Sequence, residues 1–458
     1  MRNTTRRTYI IIFLIIAFFM GLGIMLYTFI TDGDTWVANR ANALIYKGGE
    51  LTVAGTIYDS DGEVLVSTEG GKRKYNSNYY KRLATLHVVG DSAGYIATGV
   101  QTLYRSNLIG YNFIEGIYGT LSRDEGTDVK LTIDADVCSE AYSAMNGNKG
   151  TVIVYNYQTG EVICMVSAPT YDPQNKPSDI DTNTTGKYDG IYLNRAISGV
   201  FTPGSTFKVV TAICAIENIP DLYSRKFKCT GKKTFGKGDV ICNGVHGTLT
   251  FERALNVSCN SVFSELANEV GKEKLTQTVR ALGFGKNITI SKAKTVRSTF
   301  DVSGSTKLDL GWAGIGQYTT LVNPSQMLMF MGAIANGGTA MTPYLVEESS
   351  EIVDVKSKVN SNIKLSEETA KKVKKLLRSN VKNYYSDSKF PGLEMCGKTG
   401  SAEVSNGRSH AWFVGFSQKK NFPYAIVVCL QNGGSGYDDA VPVASDVMEV
   451  LYEIEMEG

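Results

Sequence analysis

Apolar positions change their spacing several times along the chain, and each change predicts a different element. From Tyr9 to Ile30, "YIIIFLIIAFFMGLGIMLYTFI", no charge interrupts 22 residues, about 33 Å of helix and enough to cross a bilayer core. Arg2, Arg6 and Arg7 precede the run and Asp32 follows it. That bias predicts a cytoplasmic tail over 1–8, a single transmembrane helix over 9–30 and an extracytoplasmic remainder. A signal-peptide core is shorter, about 7–15 residues, and "TDGDTWV" offers no small-residue cleavage site, so the anchor is expected to stay uncleaved.

Past the anchor, 31–147 reads as short β-rich runs and turns. "LTVAGTIYDSDGEVLVS" predicts a hairpin, and "GTDVKLTIDADVCSEAYSAM" a strand leading into a helix. Two strands come next, around Gln158-Thr159-Gly160. The middle turns helical in "PGSTFKVVTAICAI", "FERALNVSCNSVFSELANEV" and "NPSQMLMFMGAIANGG". Strand runs then return in "LEMCGKTGSAEV", "SHAWFVGFSQ" and "YAIVVCLQN", before an amphipathic terminal helix, "DDAVPVASDVMEVLYEIE". Two early strands and three late ones, with no βαβ alternation, predict an α+β fold. Its sheet is mainly antiparallel, assembled from both ends of the domain and faced by helices.

Composition narrows the function. A chain of 458 residues with 43% apolar and 20% charged positions has material for two globular units. Without the three N-terminal arginines it is close to neutral, so nothing electrostatic points to nucleic acid. Three histidines and no Cys-x-x-Cys leave little for a zinc site, and no metal or cofactor is expected. Most of the eight cysteines sit in apolar runs as small core residues. Cys229 and Cys242 instead flank "CTGKKTFGKGDVIC", where a disulfide or two free thiols both remain open.

The chemistry starts at "PGSTFK". Ser205 and Lys208 are three positions apart, close enough to touch on one helical face. A lysine in a partly dry site loses affinity for its proton and can take one from a hydroxyl. Ser-x-x-Lys alone is weak, since it occurs six times in this chain. Two further motifs occur once each: Ser258-Cys259-Asn260 in a helical pattern, and Lys398-Thr399-Gly400 on a predicted strand. Their order is that of penicillin-binding proteins and class A β-lactamases.

On these motifs the chain resembles a class B penicillin-binding protein, a membrane-anchored D,D-transpeptidase of peptidoglycan synthesis. "LNRAISGVFTPGSTFK", "GIGQ", "NPSQ", "IANGG", "CGKTGSAE" and "HAWFVGF" are similar to family landmarks in their usual order. The resemblance implies a pedestal-like spacer over 31–147 and a transpeptidase domain over 148–458. It also implies stem peptides ending in D-Ala-D-Ala as substrate and covalent inhibition by β-lactams. Ser205 is expected as nucleophile, neutral Lys208 as its base and Ser258 as proton relay. Asn260 is expected to hold the substrate backbone, and Lys398, Thr399 and Ser401 its terminal carboxylate. The backbone N–H groups of Ser205 and Ser401 form the expected oxyanion hole, and Gly400 is expected to let the acyl chain pass close to its strand. Two departures stand out: Ser401 where the family usually has threonine, and Ala54 where it commonly has arginine. His246 and His410 read as structural, and "MLMFM" as core.

Three rivals share parts of this pattern. A β-lactamase needs a deacylating glutamate, and none is identified. A β-lactam sensor needs a cytoplasmic effector, and only about eight residues precede the anchor. An inactive scaffold does not need intact Ser205, Lys208, Ser258, Asn260 and Lys398. With no glycosyltransferase domain visible, the resemblance further implies a SEDS-family glycosyltransferase as membrane partner.

Overall fold

The computed structural model describes residues 2–39, 41–47, 50–111, 116–117, 126–347, 357–405 and 407–457. Parts of the expected spacer, 112–115 and 118–125, fall outside these. Helix α1 (Arg2–Val37) extends beyond the uncharged run at both ends. It is long and apolar enough to cross a membrane, and the apolar side chains of its span face outward.

The hairpin expected around Asp59–Gly62 forms. β1 (Ile57–Tyr58) pairs antiparallel with β2 (Val64–Glu69), β2 with β3 (Lys72–Tyr75), and β4 (Val129–Lys130) lies parallel to β1. Asp59 closes the turn by accepting from the Glu63 N–H at 2.7 Å. Helix α2 (Tyr79–Val89) starts at Asn78, whose side chain accepts from Tyr80 and Lys81 N–H. Helix α3 (Ala135–Ala144) is capped likewise by Asp134. The boundary expected at 147 does not separate α3 from the next two strands: the Asp134 N–H donates to Ile163 O and Thr132 Oγ1 to Val162 O. One continuous core includes Ile133, Val137 and Ala141 together with those strands.

The strands themselves make the expected sheet. β5 (Gly150–Asn156) and β6 (Val162–Ala168) come from before the helical middle. The middle supplies α4 (Lys208–Asn218), the short strands β7 (Phe227–Cys229), β8 (Lys232–Phe235), β9 (Gly238–Ile241) and β10 (Gly247–Leu249), then α5 (Phe251–Asn256), α6 (Asn260–Ala281), α7 (Pro324–Ala335) and α8 (Glu367–Asn380). After it come β11 (Met395–Ala402), β12 (His410–Ser417), β13 (Tyr424–Leu430) and α9 (Val441–Glu457). The sheet order is β11-β12-β13-β5-β6, antiparallel throughout. Every residue of β13 is buried, as expected of a central strand covered on both faces. Helix α7, with "MLMFM" buried along its whole length, packs on that sheet as core.

Candidate active site

A tight 3-10 turn, Gly204–Phe207, precedes α4 and holds Ser205. Its approach is tied down from several sides. Trp412 Nε1 on β12 donates to Thr202 O at 3.0 Å, and the Gly204 N–H donates to Gly316 O at 3.0 Å. Asn323 of "NPSQ" caps α7 and donates to Ile197 O and Gly199 O at 3.0 and 2.8 Å. That landmark therefore holds the chain leading to Ser205.

Edge strand β11 lies directly against this turn. A Cβ on Gly400 would stand 2.7 Å from Pro203 O and 3.0 Å from Thr206 Cγ2. Real Cβ atoms do not tolerate the first contact without movement. The glycine thus lets β11 approach the nucleophile turn; the expectation that it makes room for the acyl chain is corrected, because its α-carbon faces protein there.

The helical pattern expected through Ser258 is broken. Helix α5 stops at Asn256, α6 starts at Asn260, and Ser258 between them has φ +54°, a conformation uncommon outside glycine and found where a function holds it. The break turns both oxygens of Ser258 toward Lys208, whose Nζ lies 2.6 Å from Ser258 O and 3.2 Å from Ser258 Oγ. The same Nζ is 3.0 Å from Ser205 Oγ and 2.6 Å from Asn260 Oδ1. Lys398 Nζ is 3.1 Å from Ser258 Oγ and 3.0 Å from Thr399 O. The fold so brings Ser205, Lys208, Ser258, Asn260 and Lys398 into one hydrogen-bonded set. Thr399 and Ser401 line the same cleft, of about 600 Å³, with Ser205, Ser258 and Asn260.

Both lysines are fully buried, and among the described residues no carboxylate pairs with either. Burial pushes Lys208 well below the ordinary lysine range, and the neighbouring Lys398 charge adds to this. Burial alone brings Lys398 down to about 7. A neutral Lys208 amine has two N–H bonds and one lone pair. Ser258 O and Asn260 Oδ1 can only accept, so they take the two N–H bonds. The lone pair is left for the Ser205 hydroxyl proton.

Tyr385, which no motif marked, joins the site. Its hydroxyl is 2.7 Å from Thr399 Oγ1, accepts from the Thr399 N–H at 3.0 Å and lies 3.5 Å from Lys398 Nζ. Ser401 Oγ accepts from the Gly436 N–H at 3.0 Å, tying β11 to the turn before α9. Glu403 is the one carboxylate lining the cleft among the described residues, and it is exposed.

His410 is half-buried, and its Nδ1 accepts from the Asn432 N–H at 3.1 Å. Burial lowers its pKa, and no nucleophile contacts it among the described residues. The disulfide weighed for Cys229 and Cys242 is not formed. Both are free thiols, and each sulfur lies 3.5 Å from His246 Nδ1.

With this geometry in place, similarities to known proteins become informative. Residues 150–449 match the model of the penicillin binding protein transpeptidase domain. A peptidoglycan D,D-transpeptidase PbpA of Mycolicibacterium smegmatis is 26% identical across 95% of this chain and 94% of its own length. Stage V sporulation protein D of Bacillus subtilis is 27% identical, over 71% of this chain and 53% of that protein. The D,D-transpeptidase domain of a peptidoglycan glycosyltransferase from Eggerthella lenta superimposes with a TM-score of 0.74 at 28% identity, covering 88% of this chain and 99% of the other.

Proposed function

The chain belongs to the penicillin binding protein transpeptidase domain family, and from that membership we propose how its own residues perform the family's reaction. The protein is a class B penicillin-binding protein, a serine D,D-transpeptidase that cross-links peptidoglycan stem peptides and is acylated by β-lactams. Lys208 Nζ takes the Ser205 proton while Ser205 Oγ attacks the carbonyl carbon of the penultimate D-alanine. Backbone N–H groups of Ser205 and Ser401 receive the developing oxyanion; one such donor is worth about 3–4 kcal/mol of transition-state stabilisation. As the C–N bond breaks, the proton passes from Lys208 through Ser258 Oγ to the amine of the departing D-alanine. An ester on Ser205 remains. An acceptor amine then attacks it, giving its proton back to Lys208 and restoring the serine hydroxyl as the new amide forms. A β-lactam takes the first half of this course, its ring nitrogen standing in for the leaving amine.

Lys398 and Thr399 hold the substrate's terminal carboxylate, with Tyr385 fixing the Thr399 hydroxyl, and Ser401 contributes from the rim. Asn260 has its Oδ1 on Lys208 and its Nδ2 on Ile241 O at 2.8 Å. It therefore acts mainly by positioning the base. The observation that carries these assignments is the buried Lys208 amine, held by Ser258 O and Asn260 Oδ1 with Ser205 Oγ beside it. Labelling of the detergent-purified full chain with a fluorescent penicillin tests them. A persistent adduct lost in Ser205→Ala is expected. No adduct refutes the mechanism, and one that vanishes within seconds makes the chain a β-lactamase.

The apolar helix α1 fits a membrane anchor. The arginines before it orient the tail toward the cytoplasm and the cleft outward, which cysteine-accessibility labelling from either side tests. A SEDS-family glycosyltransferase meeting α1 and the β1–β4 region is the polymerising partner. Co-purification that survives deletion of both segments counts against it.

A further inference from the structure

A second cluster of reactive side chains adjoins the Ser258–Asn260 turn and has no part in this chemistry. Cys229 ends β7, Cys242 comes directly after β9, His246 precedes β10 and Cys259 sits between Ser258 and Asn260. One ligand atom from each lies within 4.8 Å of all the others. The three cysteines are buried and His246 is half-buried. The lack of Cys-x-x-Cys argues against a metal site in the sequence; the fold gathers the ligands from separate points instead.

We propose that Cys229, Cys242, His246 and Cys259 bind one zinc ion, a closed structural site that fastens the 227–249 segment to the Ser258–Asn260 turn. Tetrahedral zinc, with bonds of about 2.3 Å to sulfur and about 2.0–2.1 Å to nitrogen, sets ligand–ligand edges of about 3.5–3.8 Å. The Cys242–Cys259 sulfurs are 3.8 Å apart, and His246 Nδ1 is 3.5 Å from both Cys229 Sγ and Cys242 Sγ. Three thiolates and an imidazole suit zinc over magnesium or calcium. Four protein ligands leave no open position, the mark of a structural site. Each thiol gives up its proton on binding.

A second observation gives the ion its purpose. Strands β7 to β10 have three or four residues each and form two separate two-stranded pairs, β7 with β10 and β8 with β9. Pairs of that size depend on what packs against them, here α6 and the core that Phe227, Val240 and Leu249 share with it. One end of this segment borders the catalytic set: the Asn260 N–H donates to Cys242 Sγ at 3.2 Å and Asn260 Nδ2 to Ile241 O at 2.8 Å. Asn260 in turn holds Lys208. Cys259 stands at the cap before α6 without its side chain capping the helix, and its sulfur meets Cys242 Sγ instead. The ion therefore acts as a positioning element, setting the turn that orients the base.

The test uses the full chain in detergent, with zinc measured directly. About one zinc per chain is expected, with the three thiols protected from alkylation until a strong chelator removes it. Cobalt(II) put in its place should give the intense thiolate charge-transfer bands of a tetrahedral sulfur-rich site. Zinc content should fall in Cys229→Ser and His246→Ala and return in His246→Cys. Stripping should lower the melting temperature and slow acylation by a fluorescent penicillin about 10-fold or more, with recovery on adding zinc but not magnesium. A zinc-free chain with a Cys229–Cys242 disulfide overturns the proposal, as does one with freely alkylated thiols. Zinc that can be stripped without changing acylation overturns its positioning role. Zinc content and the cobalt spectrum read the site even where acylation fails, so the transpeptidase reading is tested apart from it.

Discussion

Two regions of the molecule bury lysines, with opposite results. In the N-terminal half, Lys81 on α2 is nearly buried and bridges Glu63 at 2.6 Å and Asp136 at 2.8 Å. Burial works to lower its pKa, but the hydrogen bonds it donates to Asp136 and Glu63 outweigh it and the net shift is upward. Lys81 stays charged and joins α2 to the β1–β2 turn and to α3. In the cleft, among the described residues, the Lys208 and Lys398 amines hydrogen-bond to hydroxyl, amide and carbonyl oxygens and to no carboxylate. Without a carboxylate, burial wins and both pKa values fall. The difference between a structural cation and a catalytic base is made by the partners and by depth: Lys81 meets carboxylates that reach solvent, whereas both cleft lysines are fully buried.

The sharpest way to break this comparison is to remove the base. Lys208→Met keeps an unbranched apolar chain and removes the amine lone pair. Acylation by a fluorescent penicillin should fall about 10²–10⁴-fold, the usual worth of a positioned base. Next comes Gly400→Ala, whose methyl meets Pro203 O and pushes β11 off the nucleophile turn. Its cost should reach about 1–3 kcal/mol of stability by thermal melting, as for overpacking, together with slower acylation. Tyr385→Phe removes the hydroxyl that holds Thr399. Acylation should drop about 10-fold, with some loss of melting temperature as well, since the Thr399 N–H loses its acceptor. The counterpart on the other side is Lys81→Met. It should lower stability by about 1–2 kcal/mol, since Glu63 and Asp136 are partly exposed and keep some hydration, and leave the acylation rate unchanged. Ser401→Thr should matter least: its hydroxyl still accepts from the Gly436 N–H, and acylation should move less than about threefold. A large loss of acylation in Lys81→Met would mean that the two regions are coupled and the comparison fails.

Much of this site is legible in local sequence because its parts are short-range or carry motifs. Ser205 and Lys208 meet within one turn, and Lys398 lies on a strand run bounded by turn residues. The antiparallel sheet can be read from strand runs at both ends of a helical middle. The features that escape such a reading depend on contacts between distant segments. The left-handed Ser258 cannot be foreseen inside an apolar helical period, since its break is stabilised by Lys208, which is distant in sequence. Tyr385 stands in "NYYSDS", with nothing to distinguish it from its neighbour until β11 folds against it. The Cys229, Cys242, His246 and Cys259 cluster draws on a strand end, two loop positions and a helix cap along one stretch of chain, with no Cys-x-x-Cys to mark it. The role of Gly400 is reversed because packing, and not substrate, occupies the space above its α-carbon.

The pH dependence of acylation tests the account most directly. The second-order rate constant for a fluorescent penicillin would be measured on the full chain from acid to alkaline pH. Only neutral Lys208 can accept the Ser205 proton, and its pKa is depressed. The neutral form is therefore reached at a lower pH than for an ordinary lysine and is lost as pH falls through that depressed value. A rate constant that levels off well below about pH 10 and falls on acidification is expected, with the fall absent from the residual rate of Lys208→Met. A rate that climbs steadily to about pH 10, as an ordinary lysine would give, would show that Lys208 is charged at neutral pH and contradict the mechanism.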